Sequence, residues 1–314
     1  MKHFRPRLSR RAFWVLCALL VCLRLALTGF QQAYIWVGGA PLDDELMFRA
    51  ANHITAGQWL GAYDYLTLSK AMFFPVWLAL LHALHLPYLI SGAALWCGAA
   101  LLAALAFSTL WRKKDPAQGR VLTLGLFAAL AFLPSSWAAY TLRVYRDNIF
   151  PALCLYFFAG MAGMALRAVF TPERPLWPWL AAAGAGLACG YLDREDAGLF
   201  LLPFAAAATV IVAVVLAGKR RWKALAAQVI PYVMLGVGVL TFCTLNYTHY
   251  GVFALSDFSE GSFAAAMGAM MRVDTDSTAP YLSVPADARE KNLRRCAGIG
   301  AAGLLAGGGR PAAE

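Results

Sequence analysis

The stretch MFFPVWLALLHALHL, residues 72–86, decides the fold. It is apolar but only 15 residues long, short of the ~20 that an α-helix needs to cross the hydrocarbon core of a bilayer. If it crosses, Arg112-Lys113-Lys114 and Lys219-Arg220-Arg221-Trp222-Lys223 fall on the outer side, against the tendency of Lys and Arg to stay in the cytoplasm. If it lies along or re-enters the membrane surface, the crossing segments become about 12–30, 89–111, 121–141, 149–168, 177–191, 198–217 and 225–246. Every basic cluster (2–11, 112–120, 167–174, 219–223) then lies on one side. The second arrangement is the one predicted. It is an all-α membrane protein of about seven transmembrane helices, with the N-terminus cytoplasmic and a first external loop, 31–88, carrying juxtamembrane helices.

The composition agrees. Of 314 residues, 61% are hydrophobic and 14% charged, against about 25% charged in a soluble domain, too few to cover a water-facing surface. The net charge of +10 would point to nucleic acid in a soluble protein. Here the basic residues sit in short clusters between spans and report orientation instead, so no nucleic-acid partner is expected. Six of the seven cysteines (Cys17, Cys22, Cys97, Cys154, Cys189, Cys243) lie in apolar runs and none forms a CxxC pair. They read as packing residues. Neither a GxxxxGK[ST] loop nor a strand-borne GxGxxG occurs, so nothing supports a cytosolic nucleotide-sugar mechanism.

Outward from the short run, Ser9-Arg10-Arg11 with Phe13 faintly resembles a twin-arginine signal, but no small-residue cleavage site follows. The first span reads as a signal anchor, and Arg24 within it must face protein or water or reach an interface. In the first loop Asp43 is placed to cap a helix over 44–56 that Gly57 ends. Leu46, Met47, Ala50 and Ile54 make one apolar stripe on that helix, which suits the membrane surface. The Trp59–Tyr65 stretch has the aromatic content of the headgroup zone. Asn246-Tyr-Thr248 matches a glycosylation sequon, although the chain has a bacterial look. Three units are expected: a seven-span core over 1–246, an external polar segment over 247–295, and a Gly/Ala-rich tail over 296–314. The tail reads as disordered and as the product of a frameshift or truncated gene.

With this topology three charged clusters share the outer face: Asp43, Asp44 and Glu45 with Lys70; Arg143, Arg146 and Asp147; and Asp193, Arg194, Glu195 and Asp196. Acidic residues contribute little to orientation, so their shared side is independent information. A carboxylate among Asp43, Asp44 and Glu45 can take a proton from an acceptor hydroxyl or amine, or can serve only as a helix cap worth about 0.3–1 kcal/mol. Arginine is suited to bidentate phosphate binding, and Asp147 can orient one of the pair. Arg194, Glu195 and Asp196 either contact substrate or form a solvated turn. Together the clusters describe a carboxylate base, a cationic phosphate site and a lipid-facing entrance. External Asp and Glu oxygens also suit a divalent metal, which no spacing demands, and no other cofactor is implied.

These features resemble the GT-C-type glycosyltransferases that use polyprenyl-phosphate sugars, such as the protein O-mannosyltransferases and the lipid A aminoarabinose transferases of bacterial inner membranes. The resemblance covers about residues 12–260 and rests on four elements in order. They are an acidic pair after the first span (Asp44-Glu45, with Asp43 beside it); the run Ala50, Gly57, Trp59, Tyr63; Lys70 and Pro75 before a juxtamembrane helix; and Arg143, Arg146 and Asp147 before the fourth span. Lys70 lacks the family's adjacent Pro-Pro, and family members are usually longer. The resemblance implies inverting transfer to a lipid, glycan or protein acceptor on the outer face of a bacterial cytoplasmic membrane. Asp44 (or Asp43) would be the base, and Lys70 and Arg146 would hold the donor phosphate. The competing readings are a flippase of lipid-linked sugars, which would place charges around a midplane cavity, and a non-catalytic envelope assembly subunit.

Overall fold

The computed structural model describes residues 7–36, 41–64, 66–111, 115–171, 175–258, 261–275 and 284–295. The basic positions 2–6, 112–114 and 172–174, Tyr65, and the expected tail over 296–314 lie outside the described residues. All described elements are helical, apart from one isolated β-bridge between Tyr34 and Arg143. The chain forms two compact units, Met1–Leu255 and Ser256–Glu314.

In the first unit the apolar runs become α1 (Arg10–Thr28), α4 (Tyr88–Trp111), α5 (Pro116–Ala131), α6 (Phe150–Phe170), α7 (Trp177–Asp193), α8 (Gly198–Gly218) and α10 (Ile230–Tyr250). The shorter α2 (Leu46–Thr55), α3 (Phe73–Ala83) and α9 (Trp222–Ala226) lie between them. Among the described residues five helical stretches are long and apolar enough to span a bilayer: α1, α4, α6, α8 and the continuous Trp222–Tyr250. Helix α3 has 11 residues, about 17 Å at 1.5 Å per residue, and is too short to cross a core of about 30 Å.

The run 121–141 is not one helix. Pro134 forces Leu133 to ψ 127°, out of the helical region, so α5 stops at Ala131 and tight 3₁₀ turns follow over 134–142. At its other end α5 starts on Asp115, whose carboxylate accepts from the N–H groups of Ala117 (2.9 Å) and Gln118 (3.2 Å), with Pro116 next. Ser9 caps α1 in the same way through Ala12 N–H, at 3.1 Å.

Helix α6 packs on α4 and α7, α7 on α10, and α1 on α4 and α5. Small residues let these backbones approach. A Cβ on Gly186 would stand 2.4 Å from Phe157 N, and one on Gly160 2.5 Å from Ala183 N. Buried alanines of α4 (Ala99, Ala100, Ala103, Ala104, Ala106) play the same part. Close helix contact through small side chains gains dispersion energy where lipid offers no hydrophobic drive.

The expected cap on α2 is absent. The helix begins at Leu46 after a single π-type turn, Pro41–Glu45, and no side chain caps it. The carboxylates of Asp43 and Asp44 are drawn to cations elsewhere in the fold. Leu46, Met47 and Ala50 of the predicted stripe share a face, but they are buried against Trp59, Leu68 and Phe74 of the protein rather than turned to a membrane surface, and the chain turns at Gly57 with φ +75°. Trp59, expected among the headgroup-zone aromatics, is buried in the protein and donates from Nε1 to Oδ1 of Asn246 at 2.9 Å. Asn246 in turn donates to Ala254 O at 2.7 Å and is only 2% exposed, so the sequon is internal structure.

The second unit holds α11 (Gly261–Met271) and α12 (Ala286–Arg295). Thr275 donates to the Asp287 carboxylate at 2.6 Å, and Lys291 to Asp274 O at 3.1 Å.

Candidate active site

Chain direction alternates along the first unit, so α1, α5, α7 and α10 end where α4, α6 and α8 begin. The loops over 29–87, 132–149 and 194–197 therefore meet at one end of the bundle. Backbone pairing joins the first two: Tyr34 N–H donates to Leu142 O (3.1 Å) and Val144 N–H to Tyr34 O (2.8 Å).

On that bridge Asp44 meets Arg143. Asp44 is completely buried and accepts from Arg143 Nε at 2.9 and 3.0 Å, from Arg143 Nη2, and from Trp36 N–H at 2.7 Å. Both carboxylate oxygens are occupied. The bonds from Asp44 hold the Arg143 guanidinium above its ordinary pKa, with burial opposing.

Asp43 is more open, its side chain 35% exposed, and pairs with Lys70. The Lys70 ammonium also lies 3.5 Å from the Tyr145 hydroxyl. Glu45 is exposed beside this pair. The next link is Arg146, which is buried and donates from Nη2 to Tyr145 Oη (2.9 Å) and from Nη1 to both oxygens of Glu195 (3.0 and 2.9 Å) and to Asp193 O (3.0 Å). Burial works to lower the Arg146 pKa, but the charge of Glu195 and its contact with Tyr145 outweigh it and the net direction is up. Glu195 accepts from Ala71 N–H at 2.6 Å, tying the residue after Lys70 to the third loop. Burial works to raise its pKa, and Arg146 together with that N–H brings it below the ordinary value. Arg194 spans Asp147 (3.3 Å) and Asp196 (3.0 Å) and lies over the Phe150 ring.

The three predicted clusters thus come together at one end of the bundle as three groups of pairs: Asp44 with Arg143; Asp43 and Lys70 with Tyr145, Arg146 and Glu195; and Arg194 with Asp147 and Asp196. Among the described residues Glu45 and the carboxylate of Asp193 take no part in them. Sequence reasoning missed the aromatic residue among them. Tyr145 is buried with its ring under both guanidinium groups, 4.5 Å from Arg143 Cζ and 5.1 Å from Arg146 Cζ, while its hydroxyl bridges Lys70 and Arg146. Its place between two arginines in Arg143–Val–Tyr–Arg146 was the available signal, since aromatic faces attract cations. Asp193 behaves differently from its neighbours. It is fully buried, and neither carboxylate oxygen has a hydrogen-bond partner among the described residues.

Among the described residues no three His, Cys, Asp or Glu side chains stand together as metal ligands. The opposite end of the bundle is basic: Arg7 pairs with Asp115 at 3.5 Å, Arg120 donates to Leu8 O at 2.7 Å, and Lys219 donates to the carbonyls of Ala168 and Val169, both at 2.9 Å. No family model, curated protein or solved structure matches the chain.

Proposed function

We propose that this chain is a polytopic membrane glycosyltransferase that moves a sugar from a polyprenyl-phosphate donor to an acceptor at the outer face of the bacterial cytoplasmic membrane. Seven helices, α1, α4 to α8 and α10, make the crossings, with α2 and α3 at the outer surface. The basic end with Arg7, Arg120 and Lys219 faces the cytoplasm, as the distribution of Lys and Arg favours. One observation carries the reading: three loops far apart in sequence bring Asp43, Lys70, Arg143, Arg146 and Glu195 together at the opposite end.

In this mechanism the acceptor hydroxyl attacks the anomeric carbon as the bond from that carbon to the phosphate oxygen breaks. The acceptor's proton passes to a carboxylate and the polyprenyl phosphate leaves as an anion. We assign the base to Asp43, whose side chain is 35% exposed, and give fully buried Asp44 the positioning of Arg143. Lys70 and Arg146, linked through the Tyr145 hydroxyl, are the donor-phosphate groups, because fixed cations stabilise a departing phosphate.

The test is transfer from polyprenyl-phosphate sugars in membranes carrying equal amounts of inserted wild type, Asp43→Asn and Asp43→Asn/Asp44→Asn. Loss of a general base costs about 10²–10⁴ in rate. Undiminished transfer by the double variant would end the assignment. A second reading, an assembly subunit whose ion pairs are only a lock, is favoured by the fact that each of these cations already has a carboxylate partner. It predicts that Asp43→Asn weakens the fold and that no wild-type transfer is measurable.

A further inference from the structure

Arg24 is a cation with no counter-ion. It lies in apolar α1, one turn before the end at Thr28, and is only 3% exposed. Its guanidinium stacks on the Trp137 ring, with Cζ 3.4 Å from the centroid, and Nη2 donates to Ser136 O at 2.8 Å. Nε and Nη1 are buried and have no partner. No ion pair to Arg24 occurs among the described residues. A guanidinium cannot shed its proton to escape this environment, and a charge held in a membrane helix marks a functional site by default.

The side chain lines an open cleft of about 50 Å³ between α1, α4 and the turns over 134–142. A second unsatisfied group shares it. Asn148 donates from Nδ2 to Thr141 O at 2.8 Å, leaving a buried Oδ1 without a donor. That oxygen is packed against Gly92, where a Cβ would stand 2.0 Å from it, and has no exposed surface. Asp147 also reaches the cleft, but its carboxylate is held by Arg194 at 3.3 Å.

We infer that this cleft is a binding site for a phosphate group, carried by a lipid headgroup or free, with the Arg24 guanidinium holding the anionic oxygens. The cleft offers a fixed cation without a counter-ion among the described residues, and a stacked ring that holds the guanidinium plane. Arginine in such a frame suits phosphate geometry. Leu89 and Leu142, both partly exposed in the lining, offer an apolar wall to a hydrocarbon chain. The site lies outside the Asp43–Lys70 pair and needs no transfer activity.

The experiment titrates the full-length chain in maltoside micelles with dodecyl phosphate, and separately with inorganic phosphate, following bound mass by native mass spectrometry. Wild type should take up one dodecyl phosphate saturably, and Arg24→Gln should weaken binding at least tenfold. Ser135→Phe, at an exposed rim position that leaves Arg24 in place, should do the same and covers the case in which Arg24→Gln does not fold. If inorganic phosphate binds as tightly as dodecyl phosphate and is lost with Arg24, the ligand is the phosphate group alone. If only the chain-bearing probe binds, it is a lipid. Absence of saturable binding, or equal binding by wild type and both variants, overturns the proposal. The readout is binding, so that failure leaves the transferase reading where it stood.

Discussion

Replacing Arg143 by Met tests the joint between the first two loops. Asp44 has no exposed surface, and its two oxygens accept three bonds from Arg143 and one from Trp36 N–H. Removing the guanidinium leaves a buried carboxylate with one donor. Breaking a buried pair costs about 3–5 kcal/mol. The lower end applies, since the Arg143 side chain keeps 15% exposure and the Trp36 bond survives. We expect Arg143→Met to lose about 3 kcal/mol, roughly a hundredfold in the folding equilibrium. Asp44→Asn should cost less, and the pair of changes together should cost less than their sum by about 2 kcal/mol or more. The assay is equilibrium unfolding of the full chain by dodecyl sulfate in mixed micelles, read by tryptophan fluorescence. If Arg143→Met costs under about 1 kcal/mol, the scale of a lost helix cap, or if the two changes add within about 0.5 kcal/mol, the pair is not the joint described here.

Two further outcomes follow from the geometry. Glu195 has its pKa lowered in the fold, so its contribution is present above the ordinary value of about 4.3 and is lost as pH falls through the lower folded value. Unfolding from pH 3 to 8 should show Glu195→Gln flattening the acid limb. An unchanged acid limb contradicts the assignment. At the α6–α7 seam, Gly186→Ala places a Cβ 2.4 Å from Phe157 N and 2.6 Å from Leu153 O. It should lose about 2–3 kcal/mol by overpacking, while Gly125→Ala, with nothing within 4 Å, should lose none. Equal behaviour of the two glycines in that same assay would argue against the close seam.

Long apolar runs and their flanking charges made the helices of the first unit legible before any coordinates, because lipid tolerates few alternatives to a helix. The break at Pro134 was also written in the sequence, in a proline that bars Leu133 from helical geometry, and was overlooked inside an apolar run. The α6–α7 seam had a signal in Gly186-Leu-Ala-Cys-Gly190. Pairing was not legible. Asp43 finds Lys70 27 residues away and Asp44 finds Arg143 99 residues away, and no local rule sends two adjacent carboxylates to different loops. Nor does any local feature match Trp59 to Asn246 across 187 residues. Such contacts exist only once the bundle has closed.

The mutual pairing at the three-loop face has a consequence for anything that docks there. Lys70, Arg143, Arg146 and Arg194 are matched by Asp43, Asp44, Glu195, Asp147 and Asp196, one more carboxylate than cations. Such a face works as an ion exchanger rather than as a positive trap. An arriving anion gains a cation only when a resident carboxylate lets go, and the released carboxylate either swings into water or takes up a proton. Affinity is then a difference between two anions competing for one partner, and it should rise with acidity by the number of protons absorbed per anion bound.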